Sequence, residues 1–132
     1  MQKNSVILFC FLIILFASCM NPNKNLQNEK PILFIEKDTI DFKFKNKNET
    51  TLIPIEVMNK GNTDLRIINI KGSCGCTDIK FDTAAIKPGG NSTILLNYKS
   101  SGDTTPVLKN IVIETNANPS LKVIYLKGVY KK

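Results

Sequence analysis

From Pro31 onward, apolar residues come in short runs that alternate with polar positions and are broken by turn residues. Eight runs read as strands: Ile32–Glu36, Ile40–Lys45, Thr51–Met58, Leu65–Ile70, Asp78–Phe81, Thr93–Tyr98, Asn110–Thr115 and Leu121–Val129. Successive strand side chains point to opposite faces, so Ile53, Ile55 and Val57 share one face of the third run. Ile94, Leu96 and Tyr98 share one face of the sixth. The breaks are turn chemistry: Asn59-Lys60-Gly61-Asn62, Lys87-Pro88-Gly89-Gly90, Ser100-Ser101-Gly102-Asp103 and Asn116-Ala117-Asn118-Pro119. Glycine tolerates positive φ, proline fixes φ, and Asn or Asp caps the turn through its side chain. No window of helical length carries a 3.6-residue apolar period with caps. Seven or eight short strands in about 100 residues predict an all-β, immunoglobulin-like sandwich over residues 31–132, with no internal repeat and no second domain.

The first thirty residues follow a different pattern. Met1-Gln2-Lys3-Asn4 is polar and positive, and Ser5 to Phe16 is almost wholly apolar. That run is shorter than the roughly 20 residues a membrane-spanning helix needs. A positive start, a short apolar run and then small residues predict a secretory signal peptide over 1–18. Phe16-Ala17-Ser18-Cys19 resembles a bacterial lipobox, although Phe16 stands where Leu is usual. Cys19 is accordingly the expected lipidation site, where it becomes the acylated N-terminus. Residues 19–30 are polar and rich in Asn and read as a flexible tether. They lack an acidic cluster after Cys19, which favours an outer-membrane anchor facing the periplasm.

Charge alters this picture little. The 132-residue chain carries 18 Lys+Arg and 11 Asp+Glu, a formal net charge of +7. Losing Lys3 with a signal peptide leaves 17 − 11 = +6. All but one of the cations are lysines, scattered singly. Nucleic-acid readers more often cluster arginines with stacking aromatics, so no nucleic-acid partner is expected. Solvent-facing strand positions account for the lysines, with weak attraction to anionic envelope polymers as a further consequence.

The absence of His removes the commonest general base and every Ser-His or Cys-His pair. The carboxylates Asp38, Asp41, Asp78, Asp82 and Asp103 are scattered over strand ends and turns rather than paired for acid–base work. Neither an enzyme nor a bound cofactor is expected. Cys10 would leave with the signal peptide and Cys19 would carry lipid, which leaves Cys74-Gly75-Cys76 in a compartment where disulfides form. Residues i and i+2 of an extended strand stand nearly 7 Å apart, at the limit for a disulfide, and Gly75 could tighten the turn between them. So small a loop removes only about 1.5 kcal/mol of chain entropy. The pair therefore reads as a device that shapes a loop, as a thiol-exchange centre, or as a soft-metal site for Cu(I). A conventional zinc site would need four ligands, more than the domain supplies. Asp38-Thr39-Ile40, Asp82-Thr83-Ala84 and Asp103-Thr104-Thr105 resemble the acceptor tripeptides of a bacterial periplasmic O-glycosylation system, making Thr39, Thr83 and Thr104 candidate glycan sites.

A longer pattern carries a resemblance. Asn59-x-Gly61, Leu65-x-Ile67, Ser73-Cys74-Gly75-Cys76-Thr77, Pro88-Gly89, Thr115-Asn116 and Gly128-x-Tyr130 together resemble the bacterial domain of unknown function 1573, from about Asp38 to Tyr130. That family usually has Asp-Phe-Gly, with a turn, where this chain has Asp41-Phe42-Lys43. The resemblance implies an immunoglobulin-like domain similar to those of cilium and centrosome scaffolds, commonly on a lipoprotein, and it implies no activity. The expectation is a lipid-anchored envelope module, held to the membrane by its lipid, that binds or scaffolds an envelope protein or polymer. The alternative is a thiol-redox or Cu(I) protein built on Cys74 and Cys76.

Overall fold

The computed structural model describes residues 29–44, 48–100 and 106–130, so the expected signal peptide and most of the expected tether lie outside the described residues. Each of the eight expected runs forms a strand: β1 Leu33–Phe34, β2 Thr39–Phe44, β3 Thr50–Asn59, β4 Ile67–Gly72, β5 Thr77–Lys80, β6 Asn91–Lys99, β7 Val107–Thr115 and β8 Leu121–Tyr130. They make two four-stranded sheets, β1-β3-β6-β5 and β2-β8-β7-β4. There is no helix among the described residues.

The period-2 pattern decides which face is buried. Ile53, Ile55 and Val57 of β3 and Ile94, Leu96 and Tyr98 of β6 all point into the sandwich and are at most 3% exposed. From the other sheet they meet Phe44 of β2, Ile111 and Ile113 of β7, and Ile124 and Leu126 of β8. Burying a side chain of this size contributes about 1.5–3 kcal/mol, so this interface supplies most of the drive to fold.

Most strand ends shift from expectation by one to three residues, the most at β7, which starts at Val107 rather than Asn110. The first run shrinks to Leu33–Phe34, because from Ile35 the chain leaves the first sheet and crosses to the second. The fourth starts two residues late: Leu65 forms an isolated bridge with Ile86, and the N–H of Arg66 donates to Asn116 Oδ1 at 2.7 Å. At Asp41-Phe42-Lys43 there is no turn, since β2 runs straight through and pairs in parallel with β8. Gly128 makes that possible, because a Cβ there would strike the ring of Phe42. The Phe42 ring then stands edge-on to Tyr98 at 5.1 Å, and Phe44 does the same to Tyr130 at 4.3 Å.

Turn chemistry closes the loops. At Lys87-Pro88-Gly89-Gly90 the N–H of Gly90 donates to the Lys87 carbonyl at 2.8 Å, and Gly89 has φ of 75°. Pro at the second position and a positive-φ Gly at the third define a type II turn. Asn59, read from sequence only as a turn residue, is fully buried. Its Nδ2 donates to the carbonyls of Thr63 (2.7 Å) and Ile86 (2.9 Å), and its Oδ1 accepts from the N–H groups of Gly61 (2.9 Å) and Ile32 (3.3 Å). One amide thus ties β1, the β3–β4 turn and the loop before β6 together.

Candidate functional site

The cysteine motif occupies the corner where the chain changes sheets. β4 ends at Gly72 on the edge of the second sheet and β5 starts at Thr77 on the edge of the first. Only Ser73 to Cys76 span the gap. Ser73 prolongs the β4–β7 ladder: its N–H donates to the Asn110 carbonyl at 2.9 Å, and its Oγ accepts from the Asn110 N–H at 3.1 Å. On the far side, Lys99 N–H donates to the Cys76 carbonyl at 2.9 Å and Thr77 Oγ1 donates to the Cys74 carbonyl at 3.2 Å. Both ends of the corner are therefore pinned, each to a different sheet.

Cys74 and Cys76 are joined by a disulfide, with Cα atoms 5.2 Å apart. That is well inside the near-7 Å of an extended strand, so the bend brings them within bonding range. A Cβ on Gly75 would meet nothing within 4 Å and its φ is not in the left-handed region, whereas a Cβ on Gly72 would collide with Thr77 Oγ1. Gly72 is the residue that lets the two ends of the corner close. Both cysteines are half-buried, and Cys76 packs against the core.

Two shallow grooves flank this corner. One, of about 510 Å³, runs along the first sheet past Cys76, Asp78, Asn97 and Lys99. The other, of about 400 Å³, is bounded by Ser73, Leu108, Asn110 and Tyr125 on the outer face of the second sheet. That outer face exposes several large apolar side chains. Leu108 is 69% exposed, Leu121 55% and Tyr125 53%, with Val123 and Ile68 also in solvent. Leu121, Val123 and Tyr125 form a row on one face of β8, with Val112 opposite Val123, and Leu108 shares the groove with Tyr125, while Lys127, Asn110 and Glu114 stand opposite Leu108, Tyr125 and Leu121. Scattered exposed apolar residues are normal, but a contiguous patch marks an interaction surface. The sequence held one signal of it, since β8 is apolar on both parities: Leu121, Val123 and Tyr125 alternate with Ile124 and Leu126. A strand with one solvated face should not read that way.

The other candidate residues do not gather here. Cys19 and Thr104 lie outside the described residues. Thr39 is exposed at the start of β2, opposite Tyr125 in the ladder, and Thr83 is exposed in the loop after β5. Among the described residues no three His, Cys, Asp or Glu side chains come together as a metal site.

A family model for a protein of unknown function (DUF1573) matches residues 33–130. The chain belongs to this family. The match takes in β1, so the DUF1573 domain begins before the Asp38 boundary of the sequence motif. No curated protein matches the chain. Among solved structures, the DUF1573 domain is similar to a protein of unknown function from Porphyromonas gingivalis W83, with a TM-score of 0.66 and 21% identity, covering 79% of this chain and 49% of that one. The chain thus spans about half the length of that relative. It is also similar to PapD-like domain 7 of human CEP192, with a TM-score of 0.63, 12% identity and coverage of 79% and 88%. A third likeness is to WR4, a C. elegans MSP family member, with a TM-score of 0.52, 11% identity and coverage of 75% and 97%. At such identities these likenesses establish an immunoglobulin-like fold and nothing further.

Proposed function

We propose that this DUF1573 chain is a lipid-anchored binding or scaffolding module of the bacterial cell envelope, without catalytic activity of its own. Its partner is an envelope protein or polymer, met on the outer face of the β2-β8-β7-β4 sheet. The observation that carries the reading is the contiguous exposure of Leu108, Leu121, Val123 and Tyr125 on a sheet whose inner face is already filled. Leaving such a face in water costs solubility with no structural return. The disulfide supports the face from one end, because Ser73, next to Cys74, is hydrogen-bonded to Asn110 on it. Anchoring through Cys19 to the periplasmic side of the outer membrane rests on the signal pattern and the small residues before that cysteine.

The experiment is a pull-down from native envelope membranes with the full chain and with Leu108→Asp/Tyr125→Asp. Both sites are exposed, so the double variant should keep its β-type circular dichroism and lose its partner. Equal capture by both proteins would overturn the assignment of the face. For the anchor, fatty-acid labelling of the chain should disappear in Cys19→Ala. The thiol-exchange and Cu(I) alternative predicts a Cys74–Cys76 pair that cycles in the native envelope, or Cu(I) uptake by the reduced protein that Cys74→Ser abolishes.

A further inference from the structure

The side of the sandwich opposite the disulfide carries an unfilled strand position. Sheet edges expose unpaired N–H and C=O groups, and proteins usually blunt them. Here β1 has two residues, β5 has four, and β4 is broken by a bulge between Ile67 and Asn69. β3 is longer than its partner β1, which pairs only with Met58 and Asn59. The rest of that β3 edge is guarded by Pro54. Asn59 exchanges hydrogen bonds with Gly90 and Gly89 on the β6 side, while Lys60 N–H donates to Ile32 on the β1 side. Alternation then points the nitrogen of Pro54 at the open edge, where it offers no donor.

β2 has no such guard. Tyr125 N–H of β8 donates to the Asp38 carbonyl at 2.7 Å, so the even-numbered residues of β2 face β8. By alternation the N–H and C=O groups of Thr39, Asp41 and Lys43 face outward along a six-residue strand with no proline and no bulge. Beside the start of β2 lies a groove of about 320 Å³, floored by Ile35, Ile40, Pro54 and Ile55. Its rim carries Glu36 and Glu56, with Lys37 the one cation. Among the described residues neither carboxylate has an ion-pair partner. This is an acidic rim on a chain whose net charge is +7.

We propose that the β2 edge binds an extended peptide segment of a partner protein, added as a fifth strand of the second sheet. Its inward-facing apolar side chain fills the groove, and a neighbouring Lys or Arg meets Glu36 and Glu56. Main-chain hydrogen bonds supply affinity in this mode, and the pocket for alternate side chains supplies specificity. The inference rests on the binding-module reading but uses different residues, so the two fail separately. Leu108→Asp/Tyr125→Asp leaves the β2 edge intact, and substitutions on β2 leave Leu108 and Tyr125 in place.

The test is selection of a phage-displayed random nonapeptide library on the full chain in detergent. Enriched sequences should alternate apolar residues and carry a Lys or Arg. One such peptide, added back, should slow hydrogen exchange at the amides of Thr39, Asp41 and Lys43. Asp41→Pro removes one outward N–H without touching the β8 ladder and should weaken the peptide at least about tenfold, while Asp41→Ala should leave affinity within about twofold. Should Asp41→Pro fail to fold, N-methylating alternate residues of the peptide should produce the same loss. Glu36→Gln/Glu56→Gln should weaken binding about threefold at low salt, and by less as salt screens the pair. No enrichment, protection elsewhere on the domain, or amides of Thr39, Asp41 and Lys43 already protected in the free chain would each overturn the proposal.

Discussion

At the scale of single residues, the polar groups that matter most are those that join segments. Asn59 satisfies four backbone partners from three parts of the chain while fully buried. Replacing it with Leu would strand the carbonyl of Thr63 and the N–H of Gly61, while the Ile86 carbonyl keeps the N–H of Leu65. Each orphaned group costs about 1–3 kcal/mol, so Asn59→Leu should destabilise the domain by about 2 kcal/mol or more. Thermal denaturation should show Tm lower by about 8 °C or more. Cys74 and Cys76 make the opposite case. Their bridge closes a loop of three residues whose ends are already held by Asn110, Lys99 and Thr77. Cys74→Ser/Cys76→Ser should therefore cost only about 1–2 kcal/mol in a denaturant titration. The same variant should weaken partner capture, if the bridge serves to set the end of the apolar face.

At the scale of elements, the strands differ in how they end rather than in how they pack. Interior positions follow period 2, and alternation alone puts Ile53, Ile55 and Val57 on one face and Ile94, Leu96 and Tyr98 on another, the faces that are buried. The edges follow from which strand lies beside which, and no local pattern reports that. Pro54 is the clearest instance. It sits inside the longest apolar alternation of the chain without breaking the β3–β6 ladder, because its nitrogen faces the side that β1 leaves uncovered. Pro54→Thr should leave stability within about 0.5 kcal/mol and expose a continuous β3 edge, so sedimentation should detect new self-association at high concentration.

At the scale of the whole molecule, one core between two sheets should fold without the N-terminal segment. A fragment beginning at Lys30 retains every described strand and should be soluble and monomeric, with a β-type circular dichroism spectrum. A helical spectrum would contradict the sandwich. The number of strands, their approximate limits, the buried parity of β3 and β6, and the family are legible along the chain, because these depend on neighbours within a few residues. The sequence also contains the two-sided apolar character of β8, which becomes meaningful only when β7 and β4 are known to extend the same face. The parallel pairing of β2 with β8 depends instead on the assembled sandwich. The same is true of Asn59 as a buried hub, and of the corner, the apolar face and the open edge of β2 in their relative places. Each of these is a contact between residues far apart in sequence, set by how two sheets of fixed twist and pairing stack, and local propensity carries no term for it.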